Sequence, residues 1–185
     1  MTRMRAGRPE GVYHVVNRGN NRQSVFHDDR DYQYYLGLLS AYTQRHSLAL
    51  RHFVLMPDHA HLLIATPAGT ALSRAMLSIN LRYSLFYKKR YHYSGHLWQG
   101  RFKCQAMDPQ TNLVELGRYL ELHPVRDGLA EDPGAYRWSS YSKNTDGSPW
   151  STLELTRDSE QQLRTLLGNR RPGRPRKLEV RSYEP

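Results

Sequence analysis

Apolar and polar residues alternate along GVYHVVNR, residues 11–18, with the period of a strand that has one covered face. A turn-rich GNNRQ follows, and then the period changes. Tyr32, Tyr35, Leu36, Leu39 and Tyr42 recur at helical spacing, and Asp28 or Asp29 can cap a helix that should run to about His46. LALRHFVLM at 48–56 and HAHLLIAT at 59–66 are two more strand-like runs, separated only by Pro57 and Asp58. They form either an antiparallel hairpin or one bulged, bent strand. Thr70 opens a long second helix to about Tyr91, striped by Leu72, Met76, Ile79, Tyr83 and Phe86. RFKCQAMD, residues 101–108, gives a fourth strand. Asp108 followed by Pro109 reads as cap and first turn of a third helix, which packs through Leu113, Leu116 and Leu120. Pro124 disfavours helical geometry at His123, so this helix should stop there.

The order strand, helix, strand, strand, helix, strand predicts an α+β fold. Its expected form is a ferredoxin-like (RRM-like) antiparallel sheet with the helices on one face. The other face would be left available, which suits single-stranded nucleic acid. The chain of 185 residues then divides into a domain over 1–142, a linker with a short amphipathic helix over 143–169, and a basic tail over 170–185. Leu163, Leu166 and Leu167 mark the apolar side of the C-terminal helix.

Charge narrows the partner. Lys and Arg outnumber Asp and Glu by 27 to 17, for a formal charge of +10, and nucleic acid is the leading partner class. No long apolar run or basic amphipathic helix with a bulky apolar face points to a membrane, and MTRMRAGRPE lacks the apolar core of a secretory signal. A cytoplasmic location is the expectation. Cys104 is the single cysteine, which excludes a disulfide framework and a cysteine-based zinc site. There is no glycine-rich phosphate loop, no Gly-x-Ser-x-Gly elbow and no His-Glu-x-x-His, so conventional hydrolase chemistry is disfavoured.

The chemistry concentrates elsewhere. His59 and His61 are two apart in a strand-like run, so both imidazoles point to one face of a sheet. With a third ligand such a pair can hold a divalent ion and leave positions open for substrate, although a lone His-x-His is as often a half-exposed surface pair. Tyr119 and His123, four apart, can share a side of the third helix next to but distinct from its leucine stripe. Taken alone, Tyr119 reads as a packing residue. Asn17, Arg18 and Arg22 in and before the first loop, Arg101 and Lys103 on the fourth strand, and Arg126 beyond the third helix are candidate backbone or base contacts to nucleic acid.

The ordered set YHVVNRGNNRQSVFHDDRDY, LMPDHAHLLI, GHLWQGRFK and RYLELHPVRDGLAEDPGAYRWSSY resembles the single-tyrosine branch of the HUH endonucleases, and within it transposases of the REP-associated type. The resemblance spans roughly residues 11–142. It implies that His59 and His61 bind Mg2+ or Mn2+ and that Tyr119 attacks single-stranded DNA, with hairpin-forming DNA as substrate. The family commonly has Asn where this chain has His123, and related enzymes often take a third polar ligand there. His123 is therefore either that ligand or a residue that orients the tyrosine helix. A monomer is preferred over a homodimer, while the tyrosine could meet the histidines of its own chain or of a partner.

The implied chemistry is physically coherent. A phenol titrates near pH ~10 and needs a base or nearby cation to attack at neutral pH. Attack would leave a 5′-phosphotyrosine and a free 3′-hydroxyl, and a second 3′-hydroxyl could then rejoin the DNA without ATP. The rival from another class is a non-catalytic single-stranded nucleic-acid-binding module, which leaves His59, His61 and Tyr119 without a role. In the tail, NRRPGRPRK resembles an AT-hook arm, with Arg174 and Arg176 as minor-groove contacts; the alternative is a disordered basic tail that adds only salt-sensitive affinity.

Overall fold

The computed structural model describes residues 10–141. The expected C-terminal helix, the basic tail, Arg174 and Arg176 lie outside the described residues. Four strands, β1 (Gly11–Arg18), β2 (Ala49–Met56), β3 (His59–Thr66) and β4 (Lys103–Ala106), form one antiparallel sheet in the order β2-β3-β1-β4. Between them run α1 (Asp29–Arg45) and α2 (Gly69–Tyr91), and after them come α3 (Leu113–Glu121) and the single turn α4 (His123–Arg126). This is the expected ferredoxin-like succession.

Of the two forms open to residues 48–66, the hairpin is the one adopted. Met56 pairs with His59 across a two-residue turn, and a register shift between Leu50 and His52 adds a bulge further back. The strand period then decides which side chains go where. Tyr13 and Val15 of β1 and Ala60, Leu62 and Ile64 of β3 enter the main core with Tyr35, Leu39, Leu72, Met76, Ile79 and Tyr83 of α1 and α2. Asp31 ties these two helices together, since its buried carboxylate accepts from Arg90 at 2.8 Å and from the Tyr91 hydroxyl at 2.7 Å.

The opposite face is not open. Only α1 and α2 occupy the expected side, whereas α3 covers part of the other, where Val54, Met56, Leu63 and Met107 pack with Leu116, Tyr119 and Leu120. The reason is compositional. Both faces of β3 are buried, with Ala60, Leu62 and Ile64 on one and His59, His61 and Leu63 on the other, so both need a cover. Gly117 permits the close approach, because a Cβ there would stand closer to the His52 ring than the 3.0 Å real Cβ atoms keep. Glu121, fully buried, holds the same helix down by accepting from the Ser140 hydroxyl at 2.6 Å and pairing with His52 Nδ1 at 3.0 Å.

Three boundaries differ from the sequence expectation. Asp108 caps only a turn, accepting from the Gln110 and Thr111 amides at 2.8 and 2.9 Å. The helix starts later because Asn112 takes over the cap, through the Val114 and Glu115 amides. The fourth strand is limited to 103–106. In α2, the N-cap is Ala68 and Thr70 sits inside the first turn, since Thr66 supplies the loop's side-chain bonds to Ala68.

Candidate metal centre and tyrosine helix

β3 places His59 and His61 on the face that α3 covers, at 5% and 4% exposure. The helical path breaks at Leu122, and α4 then carries His123 onto the pair. Ring centroids lie 5.4 Å from His123 to His59, 4.9 Å from His123 to His61 and 4.9 Å between the strand pair. One ring nitrogen from each of the three lies within 4.8 Å of the others. Pro124, expected to end the helix, instead begins this turn, where its missing N–H costs nothing.

Orphaned atoms test whether an ion fits. His59 Nε2, His61 Nε2 and His123 Nδ1 are all buried without a hydrogen-bond partner. Three buried lone pairs left bare in one spot would be costly, and a divalent cation satisfies all of them. The opposite nitrogens of the strand pair are engaged. His59 Nδ1 makes a hydrogen bond to Asp58, and His61 Nδ1 lies 2.9 Å from Nε2 of His14. Such outer partners fix which nitrogen faces inward. The residues present therefore fit a metal ion.

Burial and neighbouring charge disfavour protonation of His61, His123 and His14. Burial, and then the neighbouring His123, His59 and His14, hold His61 well below the ordinary histidine range. His123 is pushed down to about 3 by burial first, and next by His59, Arg126 and Arg18. Burial alone takes His14 to about 4. For Asp58, burial would raise the carboxyl, but the His59 bond and the positive charges of His59 and Arg18 outweigh it and the net shift is downward.

Tyr119 lies on α3 at 2% exposure. It is part of the leucine stripe rather than beside it, since positions 116, 119 and 120 share one helix face. Its cluster includes Val54 and Met56, which pair with His61 and His59, so the tyrosine packs beside the histidine row. Arg126 arches back over it. Its guanidinium carbon is 3.8 Å from the ring centroid, and its Nη1 donates to the Tyr119 carbonyl at 2.8 Å.

The candidate DNA contacts separate. Arg18 pairs with His59 across β1 and β3, beside the cluster. Arg22, Arg101 and Lys103 are exposed. Asn17 is not a surface contact: at 1% exposure it faces α2, where its amide donates to Asn80 at 2.7 Å. The strand period sends Asn17 to the helix side, away from His14 and Arg18. Sequence reasoning did not single out His14, Asp58, His52 or Glu121. The alternation of GVYHVVNR sets His14 on the face of Val12 and Val16, but only the register of β1 against β3 brings it to His61.

The fold thus sets a histidine cluster into one sheet face, under a helix that bears a tyrosine. Residues 9–123 match the family described as "Transposase IS200 like", and the chain belongs to that family. Among solved structures, a REP-associated tyrosine transposase bound to a REP hairpin is similar at 15% identity and a TM-score of 0.64, over 84% of this chain and 92% of that one. That likeness shows a shared fold. A putative transposase from Deinococcus radiodurans R1 is 23% identical, over 65% of this chain and 96% of that one, with a TM-score of 0.42. No curated protein matches the chain. Among the described residues, no helix is long and apolar enough to cross a membrane.

Proposed function

We propose that the protein cleaves and rejoins single-stranded, hairpin-forming DNA through a 5′-phosphotyrosine on Tyr119. The observation that carries this reading is the convergence of three buried, unpartnered imidazole nitrogens beside the tyrosine helix of a chain in the transposase family.

His59, His61 and His123 would hold the ion, and a third imidazole in the donor set would favour Mn2+ over Mg2+, which prefers oxygen ligands. When bound, the ion supplies Lewis-acid polarisation of the scissile phosphate. Asp58 and His14 accept the Nδ1 protons of His59 and His61, which keeps both Nε2 lone pairs directed at the centre. The Tyr119 oxygen forms a bond to phosphorus, the bond from phosphorus to the 3′ oxygen breaks, and the phenol proton is lost as the leaving oxygen gains one. Arg126 sets a fixed positive charge against the ring on which negative charge develops. The reverse attack by another 3′-hydroxyl restores Tyr119 and joins the strands. Arg18, Arg22, Arg101 and Lys103 contact the backbone, and Arg126 approaches it next to Tyr119.

Because α3 packs on the sheet of its own chain and His123 completes the cluster from that chain, we read the active unit as a monomer acting in cis. The hairpin substrate follows the similar transposase, which is described as bound to a REP hairpin. The test is incubation of end-labelled hairpin DNA from the neighbouring genome with Mn2+, Mg2+ or chelator. A metal-dependent adduct that survives denaturation and is absent in Tyr119→Phe is the expected result. Tight binding with neither adduct nor cleavage under any metal would replace this reading with a non-catalytic binding module.

A further inference from the structure

On the far side of β4 from the histidines runs a groove of about 1010 Å³. One wall is a single face of α2, with Ser73, Leu77, Asn80, Ser84 and Lys88, and the other is the segment from Gly95 to Cys104. That segment is tied down: Trp98 Nε1 donates to the Asn80 carbonyl at 3.2 Å, and the Gln99 amide to the Arg18 carbonyl at 2.8 Å. The lining contains no Asp or Glu. Its cations Lys88, Arg101 and Lys103 form no ion pair among the described residues. Leu77 is 69% exposed, and Leu81 and Leu85 continue an apolar row up the same helix at 59% each.

Lys103 belongs to this groove and, by strand register, to the face of the sheet that carries the histidines. His61 pairs with Val16 and Val16 with Lys103, so Lys103 stands two strands away, about 10 Å along the hydrogen-bonding direction. β4 is the edge strand, and no strand among the described residues pairs with its outer side. A chain leaving the cluster can therefore pass over Lys103 at this edge and down between Arg101 and Lys88.

We propose that this groove carries the single-stranded DNA that flanks the cleavage site, with phosphates on Lys88, Arg101 and Lys103 and bases against Leu77 and Phe102. The proposal rests on the DNA-processing reading of the histidine face. A groove with cations on one part and apolar surface on another fits unstacked bases. A duplex stem presents phosphates outward and would leave Leu77 facing water, so the single strand is favoured over the stem.

The test compares thymidine strands of about 6 and about 20 nucleotides with a blunt hairpin, by fluorescence anisotropy at several salt concentrations. In Lys88→Gln/Arg101→Gln/Lys103→Gln the salt slope for the long strand should fall by about 2, so that between low and moderate salt the wild type loses about 20-fold more affinity than the variant. Leu77→Ser, an exposed change that leaves the fold intact, should weaken the long strand several-fold relative to the blunt hairpin. An unchanged slope overturns the proposal. So does an equal effect of Leu77→Ser on strand and hairpin, which would make the groove a stem site or no DNA site. These are binding readouts. Failure of the tyrosine chemistry would show separately, as absence of the adduct in the wild type.

Discussion

Gly117→Ala separates two opposed effects at the tyrosine helix. In an isolated helix the change stabilises by about 1 kcal/mol, because glycine is the poorer helix former. Here the added Cβ would fall on the His52 ring, nearer than the 3.0 Å limit. Forcing a methyl group into a packed site costs about 1–3 kcal/mol. If His52 swings away instead, it abandons Glu121, whose carboxylate is fully buried, at a further cost of about 1–3 kcal/mol. The contact therefore wins, with a net loss of about 2 kcal/mol and a fall in melting temperature of about 4–8 °C. The larger consequence is positional. Lifting α3 by about 1 Å displaces Tyr119 from the histidine row and should slow adduct formation about 100-fold. Thermal unfolding and single-turnover adduct formation with hairpin DNA read the two effects. A variant that melts higher than the wild type and forms adduct at the same rate would show that α3 does not dock on β2 through Gly117.

Two further outcomes follow from the histidine neighbourhood. His14→Phe keeps the volume but removes the acceptor for His61 Nδ1, and Mn2+ affinity measured by calorimetry should drop about 10–100-fold, whereas His14→Gln retains most of it; equal affinities in all three proteins would remove His14 from any positioning role. The pH dependence of metal-free stability follows from the depressed values of His14 at about 4 and His123 at about 3, both below the unfolded value near ~6.5. The folded state binds fewer protons across that window, so stability is complete above about pH 6.5 and is lost as pH falls, by up to about 1.4 kcal/mol per unit for each group. Urea unfolding in chelator at neutral and mildly acid pH checks the sign, and a flat or rising stability on acidification would contradict it.

The element sequence was legible because its signal is local. A period near two marks GVYHVVNR and HAHLLIAT, a period near 3.6 marks Tyr32 to Tyr42 and Leu72 to Phe86, and Asp28 announces α1 by the same hydrogen bonds to the Arg30 and Asp31 amides that it makes in the fold. The pairing of His59 with His61 on one face needed nothing more than strand geometry.

What the sequence could not contain was contact between distant elements. Whether Asp108 or Asn112 starts α3 was a competition between two good caps. The apolar run of β3 did not say which helix would cover its second face. His123 was left open between ligand and spacer, and it joined the strand pair because the chain turns at Leu122 onto the same sheet that α3 covers. Asn17, read as a DNA contact, points inward, and His14, read as nothing in particular, stands behind His61. By itself the sequence determined the elements, the two-histidine face and the basic character of the surface, since propensity and period act over a few residues. Only the tertiary structure decided register, the side on which α3 lies and the meeting of three imidazoles, because those depend on burying apolar faces that are far apart in the chain.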